Sequence, residues 1–176
     1  FIRCDFFLQA PYNPSARLFD PRLGGGALLD VGIYPVTMAM LFAGGKKPVG
    51  IESFLDRDEA GVDRYNRMQF MFDSGLRAEL SSAITLPGIE ETRSMVILGD
   101  AGAVVLPFFW MAEKARLLSP DGELVDTFSS PFPCNGYEYE IREVERCLAE
   151  GLTESTIQTL DDSIMVMEVL DAVRRD

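Results

Sequence analysis

Between Val49 and Phe128 the sequence breaks into short apolar runs, each closed by turn residues, and this punctuation restricts the possible folds more than any other feature. The runs Val49–Asp56, Tyr65–Phe72, Leu76–Thr85, Thr92–Leu98, Ala103–Leu106, Ala115–Leu118 and Glu123–Phe128 have the length and residue types of strands. Partial alternation in Arg67-Met68-Gln69-Phe70-Met71-Phe72 and in Arg77-Ala78-Glu79-Leu80 marks a sheet with one face buried. Asp73-Ser74-Gly75 and Pro120-Asp121-Gly122 read as hairpin turns, because glycine and aspartate tolerate left-handed backbone. A further strand is expected at Phe1–Leu8, before Pro11 and Pro14 stop it.

Helical spacing occurs in three places. Ala27–Phe42 ends at Gly44-Gly45, and Pro35 inside it implies a kink or a change of axis near Tyr34. Tyr137–Glu150 is expected to bury Tyr137, Ile141, Val144 and Leu148 while Glu138, Arg142, Glu145 and Arg146 stay in water. Leu160–Arg174 places Ile164, Met167, Leu170 and Val173 on one face, with Asp161 and Asp162 near its positive amino terminus. These elements predict an α+β fold: a large open, mainly antiparallel sheet with helices packed on one face. A second face bearing Phe70, Phe72 or Leu80 would be an exposed apolar patch, so a homodimer through the sheet face is expected.

At 176 residues, 47% of them hydrophobic, the chain suits one domain with a sizeable core. Its net charge of -12 argues against nucleic acid as a partner, since binders of a phosphate backbone concentrate Lys and Arg. No membrane partner is expected, because the apolar stretch Ala27–Ala43 is interrupted by Asp30, Gly32 and Pro35. Cys4, Cys134 and Cys147 are odd in number and widely spaced, which suits a reducing, cytoplasmic setting without a disulfide framework. The chain has no histidine, which removes Ser-His-Asp and Cys-His hydrolytic machinery and the commonest zinc ligand. Proton transfer within it must use Tyr, Lys, Cys or a carboxylate. Asp56, Asp58 and Glu59, Glu90 with Glu91, and Asp161 with Asp162 fall at turns and helix starts, where carboxylates are routinely solvated, and no metal site is expected.

Candidate chemistry concentrates between Arg17 and Val36. Gly24-Gly25-Gly26 opens onto the helical segment, in which Asp30 and Tyr34 stand four apart and so share one face. A phenol donates a proton at neutral pH but is a poor base unless a nearby cation stabilises its phenolate. Asp30 could accept a hydrogen bond from a substrate hydroxyl, or bond backbone amides beside the glycine turn. Asn13, Arg17 and Asp20 lie in the preceding loop, where they could hold a polyhydroxylated ligand; an Arg17–Asp20 clasp is the plainer alternative. Phe108-Phe109-Trp110 could wall a ring-sized pocket, or pack in the core or a dimer contact.

The stretch Gly24-Gly25-Gly26-Ala27-Leu28-Leu29-Asp30-Val31-Gly32-Ile33-Tyr34-Pro35 resembles the GGGALLDxGxYP segment of the glucose-fructose oxidoreductase, inositol dehydrogenase and rhizopine catabolism (Gfo/Idh/MocA) family of NAD(P)-dependent oxidoreductases, in its dihydrodiol and aldose dehydrogenase branches. Gly136-Tyr137-Glu138-Tyr139, Glu143, Cys147-Leu148 and Gly151-Leu152-Thr153-Glu154-Ser155 are similar to the helix and turn near that family's carboxy terminus. The resemblance implies that residues 1–176 form a substrate-binding and dimerisation domain, with Tyr34 as the acid/base residue and Asp30 beside the substrate ring. It implies NAD or NADP held mainly by an amino-terminal Rossmann domain absent from this chain. Neither the family's glycine-rich dinucleotide loop nor its E-K-P lysine occurs here, and Gly24–Gly26 lacks the G-x-G-x-x-G spacing of that loop. The function implied is hydride transfer between nicotinamide and a hydroxyl of a sugar, cyclitol or dihydrodiol, with these residues alone inactive. The alternatives are a non-catalytic binding or assembly domain, and a redox-assisted glycosidase or aldose-aldose oxidoreductase that recycles its nicotinamide.

Overall fold

Strand β1 (Ile2–Phe7) sits near the middle of one eight-stranded sheet in the computed structural model, which describes residues 1–175. The other strands are β2 (Gly50–Arg57), β3 (Asp63–Met71), β4 (Arg77–Ala83), β5 (Ser94–Gly99), β6 (Gly102–Pro107), β7 (Lys114–Leu118) and β8 (Leu124–Ser129). Their order is β2-β3-β4-β1-β5-β6-β7-β8. Only the β1–β4 pair is parallel, with Cys4 opposite Leu80, so the sheet is mainly antiparallel, as the turn signals predict. Both anticipated hairpins form: Gly75 and Gly122 take φ of 86° and 83°, a region favourable to glycine.

Three helices follow the predicted spans: α1 (Ile33–Phe42), α2 (Glu138–Glu150) and α3 (Leu160–Arg175). A π-helical turn, Leu28–Gly32, precedes α1. Pro35 has no N–H to return to the preceding turn, and the chain accommodates it by a change of winding immediately before it. Pro21–Phe42 is long and apolar enough to cross a bilayer by composition alone, but half of it is buried within the fold, the pattern of a core helix.

The core lies between α1, α3 and the β2–β1 half of the sheet. Strand alternation carries Ile2, Cys4 and Phe6 of β1, Met68 and Phe70 of β3, and Leu80 of β4 to this face, where each is buried. They meet Val36, Ala39 and Met40 of α1 and Val169, Leu170 and Val173 of α3. Each Val, Leu, Ile, Phe or Met side chain among them contributes roughly 1.5–3 kcal/mol when fully buried. The last carbonyls of α3 are satisfied from β2, where Ser53 Oγ donates to the Val173 carbonyl at 3.0 Å.

Three expectations about faces need correction. Phe70, Phe72 and Leu80 are 1–3% exposed and face the helices, so they form no patch on the open side. The register shows that side carrying Arg3, Asp5, Glu52, Arg67, Gln69, Glu79 and Arg116 instead. Tyr137, just before α2, and Ile141, Val144 and Leu148 on it are exposed, and Cys147 is the buried residue of the helix. Hydrophobic spacing defines an apolar stripe but does not supply an element to cover it; α2 is tied down at its ends. At its start the Glu138 carboxylate accepts backbone N–H groups, and from its middle Glu143 accepts from Arg146 at 2.8 Å and from Ser155 Oγ, beyond the helix end, at 2.5 Å, while Gly151 closes the helix with φ of 70°. On α3 the buried face is Val166, Val169, Leu170 and Val173, so Leu170 and Val173 are inside as expected while Ile164 and Met167 are exposed.

Candidate functional site

Of the three glycines that open the Tyr34 helix, Gly24 faces open space, and Gly25 and Gly26 are packed against protein. A Cβ on Gly25 would sit 2.7 Å from the Arg17 and Leu18 carbonyl oxygens, and a Cβ on Gly26 would sit 2.1 Å from Asp63 Oδ1. Gly26 also takes φ of 116°, which a side chain resists. Their amides are engaged, with Gly25 N–H on the Asp20 carbonyl and Gly26 N–H on the Leu18 carbonyl, both at 3.0 Å. Leu28 N–H, two residues on from Gly26, donates to Asp63 Oδ2 at 2.8 Å across the core from β3.

Asp63 belongs to a buried chain of polar groups. Asn66 Nδ2 donates to it at 2.9 Å, and Ser82 Oγ donates to Asn66 Oδ1 at 2.9 Å. Burial pushes the Asp63 carboxyl above the ordinary aspartate range, and the Asn66 and Leu28 donors hold it back. This chain fixes the start of the helix that carries Asp30 and Tyr34 to the middle of the sheet. A cap of this kind contributes about 0.5–2 kcal/mol.

Tyr34 is 44% exposed, and its ring packs edge-on against Phe6 with 5.4 Å between centroids. Phe6 in turn stacks on Trp110 at 3.9 Å and 16°, and meets Phe109 edge-on at 5.9 Å. Trp110 reaches this position because Phe108, the residue after β6, takes φ of 50°, a left-handed bend for a bulky residue that costs roughly 1–2 kcal/mol. The bend leads into the single turn Phe109–Met111. Tyr34, Phe109 and Trp110 thereby form part of a cleft of about 490 Å³, completed by Phe132, Asn135, Gly136, Tyr137, Tyr139 and Glu140 among its lining residues. Among the described residues lining it, Glu140 is the charged one.

Of the residues singled out in the sequence, the structure brings Tyr34 together with Phe109 and Trp110, and Arg17 together with Asp30. The Arg17 guanidinium pairs with the Asp30 carboxylate, whose side chain is 21% exposed. The expected alternative, an Arg17–Asp20 clasp, is replaced by Arg22–Asp20: Asp20 accepts from the Arg22 backbone at 2.9 Å and from its guanidinium at 2.6 Å, because Arg22 lies in the same turn. Those hydrogen bonds hold the Asp20 carboxyl below its usual range. Asn13 lies apart from the cleft walls, and its Oδ1 accepts the Ser15 N–H at 3.0 Å within its own loop. Asp30 and Arg17 also stand outside the residues that line the Tyr34 cleft.

Sequence reading missed Phe6, Asp63, Asn66 and the Phe132–Gly136 wall. Asn66 and Ser82 had a legible signal, since they fall on the buried phase of otherwise apolar strands, where a polar side chain needs a partner. Among the described residues, no group of three or more metal-ligating side chains of the His, Cys, Asp and Glu types occurs.

The family model of the GFO/IDH/MocA C-terminal domain matches residues 1–105. The trans-1,2-dihydrobenzene-1,2-diol dehydrogenase of Xenopus laevis is 31% identical over 176 residues, covering 97% of this chain and 52% of the relative. That of Macaca fascicularis is 32% identical over 181 residues, covering 98% of this chain and 52% of its own length. The chain thus spans about half the length of the curated relatives it matches. Among solved structures, the aldose-aldose oxidoreductase of Caulobacter crescentus complexed with glycerol superposes with a TM-score of 0.84 at 22% identity, over 99% of this chain and 52% of that one. KijD10, a 3-ketoreductase from Actinomadura kijaniata bound to NADP and TDP-benzene, superposes with a TM-score of 0.81 at 21% identity, over 99% of this chain and 52% of that one. At such identities these two structures establish the fold.

Proposed function

The chain belongs to the GFO/IDH/MocA family, and from that premise we propose that it is the substrate domain of an NAD(P)-dependent oxidoreductase in which Tyr34 moves the proton of a substrate hydroxyl. The observation that carries this reading is the position of Tyr34, half-exposed on the wall of an aromatic cleft and braced by Phe6. The phenol can donate to a carbonyl being reduced, or accept from an alcohol being oxidised once a cation stabilises the phenolate. The aromatic walls suit a flat ring bearing hydroxyls, because a ring packs offset or edge-on against Trp110, Phe132, Tyr137 or Tyr139 while its polar rim stays free. Trans-1,2-dihydrobenzene-1,2-diol, the compound in the relatives' name, has that shape. We therefore place a dihydrodiol first among substrates, ahead of aldoses and cyclitols.

Nicotinamide, when bound, supplies the hydride acceptor or donor. The glycine turn does not fit the phosphates of a dinucleotide. Gly25 and Gly26 abut protein atoms where a phosphate would need space, and the Gly25, Gly26 and Leu28 amides are already bonded to Asp20, Leu18 and Asp63. The reading therefore assigns the dinucleotide to the portion of the relatives that this chain does not span. The same portion would supply the cation facing Tyr34.

Asp30, held by Arg17, is proposed to orient a substrate hydroxyl from one turn before Tyr34, and Asn13 and Arg17 to border the approach. A homodimer through the open sheet face is proposed on new grounds. That face carries alternating charges, among them Arg3 with Asp5 and Arg116 with Glu90, which a second copy could answer with opposite signs. Sedimentation as a strict monomer at high concentration would remove this part. A cytoplasmic location is proposed from the three free thiols.

The experiment for the reaction class is nicotinamide absorbance change by this chain joined to a cofactor-binding half, across aromatic dihydrodiols, aldoses and cyclitols. Turnover with dihydrodiols supports the reading. Absence of turnover with every substrate, in a protein that binds NAD(P), would favour a non-catalytic domain of the same fold.

A further inference from the structure

One wall of the Tyr34 cleft is neither strand nor helix: Phe132, Asn135 and Gly136 come from the segment joining β8 to α2. Such a segment loses about 1–2 kcal/mol of backbone entropy for each residue it orders, so something must hold it before a ligand arrives or binding must supply that ordering. Two carboxylates hold it. Glu113, between β6 and β7, accepts the Phe132 N–H at 2.8 Å through its side chain and the Ser130 N–H at 2.8 Å through its backbone carbonyl. Glu138, the first residue of α2, accepts the N–H groups of Cys134 at 3.1 Å, Asn135 at 3.2 Å and Gly136 at 2.7 Å. Gly136 turns at φ 91°, and a Cβ there would stand 3.4 Å from the Phe132 ring, so the turn is packed against the wall residue before it. Asn135 Oδ1 in turn accepts the Tyr137 N–H at 3.2 Å.

We propose that Glu138 is a positioning residue for substrate: by gathering the amides of Cys134, Asn135 and Gly136 onto one carboxylate it presets the cleft wall that faces a bound ring, with Glu113 securing the upstream end. The proposal rests on reading the Tyr34 cleft as the substrate site. It assigns a function to a side chain that the spacing of α2 presents as an ordinary wet residue. Desolvation acts to raise the Glu138 carboxyl, and the surrounding backbone donors outweigh it and hold the group below the usual glutamate range, so the clasp stays charged at neutral pH.

Trp110 is the only tryptophan in the sequence and lines the cleft, which gives a direct optical readout in the full chain. Its emission is followed during titration with trans-1,2-dihydrobenzene-1,2-diol, alongside hydrogen exchange of the 132–136 amides. The wild type should show a saturable change. Glu138→Ala should weaken the apparent affinity by about tenfold or more, with faster exchange at 134–136 and unchanged exchange in β1, β3 and β4. Glu138→Gln, which keeps an acceptor oxygen without the charge, should recover part of both. Equal affinity in Glu138→Ala and wild type, with exchange at 134–136 accelerated, would overturn the positioning role while leaving the cleft as the substrate site. Loss of protection throughout the sheet would overturn it in favour of general structural support. If Glu138→Ala does not fold, Glu138→Gln and Glu113→Gln decide by the same criteria. A wild-type chain whose Trp110 never responds to the diol would remove the reading of the cleft itself, and the positioning role with it.

Discussion

Replacing Gly26 by alanine should be far more damaging than replacing Gly24, two residues away in the same glycine run. Both take positive φ, 116° and 70°; the left-handed conformation at Gly24 costs an L side chain roughly 1–2 kcal/mol, and the wider φ at Gly26 costs at least as much. At Gly24 nothing lies within 4 Å of the new Cβ, so the cost ends there. At Gly26 the Cβ would stand 2.1 Å from Asp63 Oδ1, so Asp63 must withdraw from Leu28 N–H and Asn66 Nδ2. Each buried donor left unmade costs about 1–3 kcal/mol. The difference between the two variants is therefore expected at about 2–6 kcal/mol, a large share of the roughly 5–15 kcal/mol that stabilises a typical domain. Urea unfolding of wild type, Gly24→Ala and Gly26→Ala, analysed at a common m-value, measures it. Hydrogen exchange at Leu28 locates the damage. Equal midpoints for the two variants, or an unchanged Leu28 amide in Gly26→Ala, would refute the argument that Asp63 and the bare Gly26 Cα jointly secure the helix of Tyr34.

Other variants separate buried from unpartnered apolar residues. Leu170→Ala, at a fully buried position, should cost about 2–5 kcal/mol. Leu148→Ala, on the 73% exposed stripe of α2, should stay within about 0.5 kcal/mol in the same urea assay. The Glu143 carboxyl is pulled from an ordinary 4.5 to about 2, first by its hydrogen bond to Arg146 and then by Ser155. An acid whose folded value is depressed contributes stability that is present above its unfolded value and is lost as pH falls through the folded one. Acid titration of stability should thus show a loss between about pH 4.5 and 2 that Glu143→Gln flattens. An identical slope in the variant would contradict the assignment.

The sheet was legible because turn residues fix strand ends locally, and glycine at positions 75 and 122 meets a requirement of backbone geometry. Each predicted strand appears within a few residues of its expected bounds. Which face of an element would be covered was less legible. Ile141, Val144 and Leu148 have the spacing of a core stripe, but spacing is a property of one helix and burial a property of two elements. Tyr34 was visible through its motif and its helix. Phe6, which braces it, looked like any buried strand residue until the fold stacked it on Trp110. Asp63 was hidden for a similar reason: its partner Leu28 N–H is 35 residues away in sequence, so no local pattern links the carboxylate to the helix it caps.

Single-turnover hydride transfer by Tyr34→Phe in the chain joined to a cofactor-binding half, with substrate affinity measured beside it, tests the role of Tyr34 most directly. Removing one hydroxyl from a half-exposed ring should leave the Phe6 contact and diol binding nearly unchanged. The rate should fall by about 10²-fold or more, the scale of a lost general acid/base. A variant that binds the diol and transfers hydride at close to the wild-type rate would contradict the assignment of proton transfer to Tyr34.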